Sequence, residues 1–200
     1  MSLKDNFGKP SGLIGKIMLS GMNMGHTPMA KWGFTQIEVP RDGKCADIGC
    51  GGGYNVKRLL ERSGTGIVYG VDYSEASCKK TESVNKKYLG TRCKVFQASA
   101  EKLPFKDGTL DLVTAFETIY FWPDIQNCFV EVKRVLKDGG KFAVINDTGD
   151  PDKNWADMIP GMTAYTSDDV AKLMKNAGFS DIVISASKYK YCVQGTASKM

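Results

Sequence analysis

Histidine is nearly absent from this chain: His26 is the only one. The six cysteines (Cys45, Cys50, Cys78, Cys93, Cys128 and Cys192) never form a C-x-x-C pair, so the donor spacing of a zinc site is missing and no metal is expected. No apolar run is long enough to cross a bilayer, and no cationic start leads into an apolar signal core. Reduced thiols without a leader make a cytoplasmic protein the expectation. Internal repeats and low-complexity tracts are missing too, and 42% hydrophobic with 24% charged residues excludes disordered and collagen-like classes. There is no G-x-x-x-x-G-K-[ST] phosphate loop. A dinucleotide fingerprint fails as well, because counting from Gly49 and Gly51 puts Tyr54 where the third glycine of G-x-G-x-x-G belongs. A short-chain NAD oxidoreductase is therefore the last of the candidate readings.

What is present fits one domain of 200 residues. The net charge of +5 is mild. Lys79, Lys80, Lys86, Lys87, Arg92 and Lys94 supply much of it, but they interleave with Glu75 and Glu82 on a predicted helix, which reads as a solvated face rather than a nucleic-acid surface. The chain is organised around C-A-D-I-G-C-G-G-G at residues 45–53. A short apolar run ends in Asp47, and Gly49, Gly51 and Gly53 fall at every second position before a helical pattern. Glycines so spaced remove each Cβ where the backbone turns sharply and lets a ligand approach the main chain.

Around this stretch, strand and helix patterns alternate. Apolar residues at helical spacing predict a helix over 13–22, and Pro28 suits the first turn of a second helix carrying Trp32, Phe34 and Ile37. Residues 1–43 are read as an N-terminal helical attachment covering the site, and 44–200 as the main domain. Strands are predicted at 44–48, 67–71, 93–98, 110–116 and 141–145, with helices at 54–63 and 74–89. A further helix is opened by Pro123 and stopped by Asp138-Gly139-Gly140. Thr166 or Ser167 caps a last helix closed by Gly178. Strands 179–186 and 189–194 have so little chain between them that only an antiparallel hairpin can join them. The expected fold is α/β: Rossmann-like, doubly wound, with a mainly parallel sheet that ends in one reversed strand, plus the N-terminal helices.

In such a sheet, ligands sit beyond the carboxyl ends of the strands at the switch point. The glycine loop, Asp72-Tyr73, Ser99-Ala100 and residues 116–120 all follow strand ends and so converge on one crevice. Asp72 lies about twenty residues past the glycines, the interval for a carboxylate that takes ribose hydroxyls. A strand-end aspartate can also cap the next helix; beside the glycines, the ribose role is the stronger reading.

Taken together, these stretches resemble the class I S-adenosylmethionine-dependent methyltransferases, close to the small ubiquinone- and sterol-type enzymes. D-I-G-C-G-G-G at 47–53, G-V-D-Y-S at 70–74, A-E-K-L-P-F at 100–105, L-D-L-V at 110–113 and E-V-K-R-V-L-K-D-G-G at 131–140 match the family's blocks in order. The resemblance implies a seven-stranded sheet and S-adenosylmethionine as cofactor, leaving as S-adenosylhomocysteine. Asp47, Gly49, Cys50, Gly51 and Gly53 would form the cofactor loop, Asp72 would hold the ribose and Tyr73 would cover adenine. Ala100 would offer its N–H to the ring, and Ser99 stands where the family usually has an aspartate for the adenine amino group. Glu117 is a candidate for the methionine ammonium. If the acceptor needs a base, His26 and Tyr120 are the candidates, though a capping or packing role is the stronger reading for His26; Phe121 and Trp122 can line the acceptor pocket or pack beneath it. The segment 148–165, with Trp155, Met158, Ile159 and Met162, and the methionines Met18, Met22, Met24 and Met29 suggest an apolar cover. The expected partner is a small-molecule methyl acceptor, with no nucleic acid and no membrane span, in a monomer or homodimer. A non-catalytic cofactor-binding module and an RNA or protein methyltransferase are the alternatives.

Overall fold

The computed structural model describes residues 27–147 and 161–198. The predicted helix at 13–22, His26, and Trp155, Met158 and Ile159 lie outside the described residues.

Helix α1 (Thr27–Gln36) leads into β1 (Lys44–Ile48), α2 (Tyr54–Arg62), β2 (Ile67–Asp72), α3 (Glu75–Val84) and β3 (Cys93–Gln97). Then come β4 (Leu110–Phe116), α4 (Ile125–Val135), β5 (Leu136–Asp147), α5 (Ser167–Asn176), β6 (Phe179–Ser187) and β7 (Lys190–Ala197). The seven strands form one sheet in the order β3-β2-β1-β4-β5-β7-β6. β1 pairs in parallel with both β2 and β4, so successive crossovers diverge there and open the switch-point crevice. β7 runs antiparallel to both β5 and β6, the reversed strand that the short hairpin link requires.

The central strands are buried on both faces, which is why they read as apolar runs instead of alternating ones. One face packs Phe129 and Val132 of α4 and Met174 of α5 against Phe142, Val144 and Tyr191. The other packs Leu59 and Leu60 of α2 and Phe34 of α1 against Val68, Phe116 and Ile145. Helix α1 comes very close to the sheet at Gly33, where a Cβ would meet Ile145 and Phe116. Phe34 stacks on Phe116 with ring centroids 4.9 Å apart, and the Arg62 guanidinium lies over the Phe34 ring. The described part of the N-terminal region thus shares its core with the sheet.

Three boundaries differ from expectation. Pro123 does not open α4: Asp124 is the N-cap, its carboxylate accepting the Asn127 N–H, and Pro123 precedes it. Asp138-Gly139-Gly140 does not stop that helix, which ends at Val135 as Leu136 turns extended. Residues 137–140 instead form an irregularity in β5, since Leu110 pairs with Leu136 but Leu112 with Lys141. The extra residues loop out there, with Gly139 at φ 75°. Helix α3 stops at Val84, short of residue 89, because the Asn85 amide turns back to the Thr81 and Gly53 carbonyls; a 3-10 turn at Lys86–Tyr88 follows.

Candidate cofactor site

At the end of β1 the chain turns through Gly49 (φ 75°), Gly51 (φ 51°) and Gly53 (φ 79°), all left-handed. Other residues pay about 1–2 kcal/mol to adopt that conformation. The Gly49 and Cys50 amides both donate to the Val71 carbonyl of β2, at 2.8 and 3.1 Å. From the far side, Thr81 Oγ1 donates to the Gly51 carbonyl (3.0 Å) and Asn85 Nδ2 to the Gly53 carbonyl (3.0 Å). The loop is therefore clamped between β2 and α3. Two of the glycines are also demanded by the protein's own packing: a Cβ at Gly49 would run into the Thr118 side chain, and one at Gly53 into the Thr81 backbone. Gly49→Ala should cost about 2–4 kcal/mol from strain plus clash, whereas Gly90→Ala, at φ 78° in open space, should cost only about 1. Urea unfolding of the two variants measures the difference, and equal losses would refute the packing account.

Asp72, at the end of β2, is 7% exposed. One carboxylate oxygen accepts the Gly51 N–H (2.9 Å) and the other the Ser74 N–H (2.9 Å). Burial pushes its pKa up, while these two amides and the Ser77 hydroxyl hold it down. Asp72 thus ties the glycine loop to the start of α3, whose N-cap is the neighbouring Ser74. Asp47 is 1% exposed and accepts a hydrogen bond from Thr114 Oγ1 (2.8 Å). Burial, reinforced by the charge of Asp72, raises its pKa to about 7 against the opposing pull of Thr114 and Arg58. Two buried carboxylates flank the loop, and the Arg58 charge only partly offsets the pair at Asp47. Such a site suits a ligand carrying positive charge and vicinal hydroxyls.

The remaining predicted residues are placed as follows. Tyr73 is 42% exposed beside Asp72, and its partial desolvation with the nearby Asp72 charge pushes its pKa up to about 12. Ser99 and the buried Ala100 follow β3 next to it, with the Ala98 N–H bonded to the Asp72 carbonyl (3.0 Å). Cys50 is buried, its thiol 3.4 Å from Thr81 Oγ1. Glu117 directly follows β4 at φ 52°, left-handed for a non-glycine residue, with its N–H on the Ile145 carbonyl. Backbone strain of this kind collects at functional sites. Tyr120 departs from the role of a base. Its hydroxyl donates to the Asp147 carbonyl (3.3 Å) and accepts the Asp147 N–H (3.1 Å). Burial above all, and then the Glu117 charge, drives its pKa well up, so the phenol stays protonated and tethers the end of β5. Trp122 packs against Phe129 and Phe142, and so belongs to the core.

Thr81, Asn85, Thr114 and Thr118 touch the loop or Asp47 and carry no motif signal. For three of them the signal is polarity in the wrong place: Thr81 and the C-cap Asn85 continue the face of α3 that carries buried Cys78, and Thr114 interrupts the apolar β4.

Residues 46–144 match the family model described as a methyltransferase domain. The chain belongs to the class I S-adenosylmethionine-dependent methyltransferase family. Within it, the chain is 29% identical over 160 residues to the uncharacterized methyltransferase YdaC of Bacillus subtilis, covering 80% of this chain and 84% of that one. It is also 31% identical over 123 residues to the sterol 4-C-methyltransferase strm-1 of Caenorhabditis elegans, covering 60% of this chain but only 36% of that one. Among solved structures, a SAM-dependent methyltransferase from Aquifex aeolicus superposes with a TM-score of 0.70 at 23% identity, covering 84% of this chain and 89% of that one. The methyltransferase fold and the family cofactor, S-adenosylmethionine, are thereby assigned.

Proposed function

We propose that this chain transfers the methyl group of S-adenosylmethionine to a small-molecule acceptor. The observation that carries the reading is the clamped glycine loop with the Asp72 carboxylate bonded to the Gly51 amide. When bound, the cofactor supplies a methyl group on a positively charged sulfur, which needs no further activation. The glycine loop would hold its methionine part, with Asp47 and Glu117 balancing the positive charge. Asp72 would hold the ribose hydroxyls, and Tyr73, Ser99 and Ala100 the adenine.

The protein's contribution is to orient the acceptor in line with the S–CH₃ bond and to keep water out. With the Tyr120 phenol committed to the Asp147 backbone, an acceptor that is already nucleophilic suits the described residues best. A small-molecule acceptor is supported by likeness to a sterol methyltransferase. It is further supported by the basic run at 79–94, which is partly spent internally. Arg92 donates to the Leu60 and Gly66 carbonyls and to Ser63 Oγ, and Lys79 pairs with Glu75.

Calorimetry with S-adenosylmethionine and S-adenosylhomocysteine should give micromolar-range binding. No heat at millimolar cofactor would end the reading. Incubation with methyl-labelled cofactor and a metabolite extract separates the enzyme from a silent binding module, because only the enzyme leaves label in a new product.

A further inference from the structure

Ser99 and Glu101 are locked to each other in the turn after β3. The Ser99 hydroxyl donates to Glu101 Oε2 (3.2 Å), and its oxygen accepts the Glu101 N–H (3.3 Å). A hydroxyl has one proton and two lone pairs. With the proton given to the carboxylate and one lone pair to the amide, Ser99 has only a lone pair left to offer a ligand. A free hydroxyl, by contrast, could rotate to donate or accept.

This turn abuts the end of β2: the Ala98 N–H reaches the Asp72 carbonyl, and Gln97 Nε2 donates to the Tyr73 carbonyl (3.2 Å). Asp72 pairs in register with Gln97, so Tyr73 and Ser99 lie just beyond adjacent strand ends ~4.8 Å apart, where both would be within reach of the base of a nucleoside held by its ribose at Asp72. The 6-position of adenine is a donor amino group; that of hypoxanthine is an acceptor oxygen. We infer that Glu101 is a positioning residue that fixes the Ser99 hydroxyl as a hydrogen-bond acceptor, so that the site takes a 6-amino purine and rejects a 6-oxo purine. Its negative charge also polarises the Ser99 oxygen, strengthening the bond that this oxygen accepts. The inference rests on the S-adenosylmethionine reading above.

The probes are S-adenosylhomocysteine and its deaminated counterpart, S-inosylhomocysteine, titrated into the full chain. The wild type should prefer the amino form. Glu101→Ala should cut that preference about tenfold, the worth of one hydrogen bond of favourable polarity. Glu101→Gln, whose amide oxygen still accepts the hydroxyl proton, should keep most of it. Ser99→Ala should lose the same preference, and adding Glu101→Ala to it should change nothing further. Glu101 is exposed, so the melting temperature of its variants should match the wild type. A preference unchanged in Glu101→Ala, or lost equally in Glu101→Gln, would overturn the inference. Equal wild-type affinity for both probes would also remove it while leaving the cofactor reading standing. Binding of neither would remove the cofactor reading itself.

Discussion

Replacing Asp72 with alanine is expected to weaken S-adenosylmethionine binding by about a hundredfold or more, because two charge-assisted hydrogen bonds to ribose hydroxyls would go, each worth about 1.5–3 kcal/mol. The loss has a second source inside the protein. Asp72 accepts the Gly51 and Ser74 amides, so the variant leaves both without their partner and frees the glycine loop from α3. The buried Ser74 amide left unpaired costs about 1–3 kcal/mol and the part-buried Gly51 amide less, offset in part by removing a buried charge. The melting temperature should therefore fall together with affinity. Asp72→Asn separates the two effects. It keeps the shape and one acceptor oxygen, so it should recover part of the stability but little of the affinity. Calorimetry and thermal melting on the three proteins measure both, and an Asp72→Ala variant that binds cofactor as the wild type does would remove Asp72 from the site.

Asp47→Asn should do the opposite to stability. The Asp47 carboxyl is raised from its ordinary 3.8 to about 7, chiefly by burial. The folded state therefore holds this proton more tightly than the unfolded state. Its contribution to stability is full below about pH 4 and is lost as pH rises toward and through 7. By pH 8 the wild type carries a buried ionised carboxylate, a burden of a few kcal/mol. Asparagine keeps an oxygen for the Thr114 hydroxyl and never ionises, so the variant should be more stable than the wild type at pH 8, by about 1–3 kcal/mol. Its stability should also stay flatter between pH 5 and 8. Urea unfolding across that range tests both points, and parallel pH curves would refute the assignment. The same substitution should weaken binding of the positively charged cofactor. In the wild type, affinity should rise with pH through 7, as the cofactor favours the ionised form of Asp47 and displaces its proton.

The main architecture was legible because parallel strands buried on both faces announce themselves as short apolar runs. The glycine punctuation after β1 and the cramped β6–β7 link left little freedom in topology. Asp138-Gly139-Gly140 was misleading for a physical reason: the same residues that stop a helix also allow a strand to loop out, and only pairing with β4 distinguishes the two. Within the candidate site, the glycine turn and the nearness of Asp72 to it could be read from spacing, but the packing demands on Gly49 and Gly53 could not. Their freedom from side chains serves contacts with Thr118 and Thr81, residues 69 and 28 positions away in the chain. Tyr120 shows the same limit. A tyrosine after β4 reads as a candidate acid or base, and only the fold reveals that the backbone of Asp147 has claimed its hydroxyl.

A protein that stores a methyl sulfonium keeps an alkylating agent in its own interior, and a thiolate is the nucleophile such an agent finds first. All six cysteines are buried. Burial is the main cause that lifts every one of them above its ordinary value, from about 11 for Cys78 and Cys93 to about 12 for Cys45, Cys128 and Cys192, with Cys50 in the glycine loop raised as well. At neutral pH none of these sulfurs carries the charge that attack requires, so the chain can shelter a reactive methyl group without modifying itself.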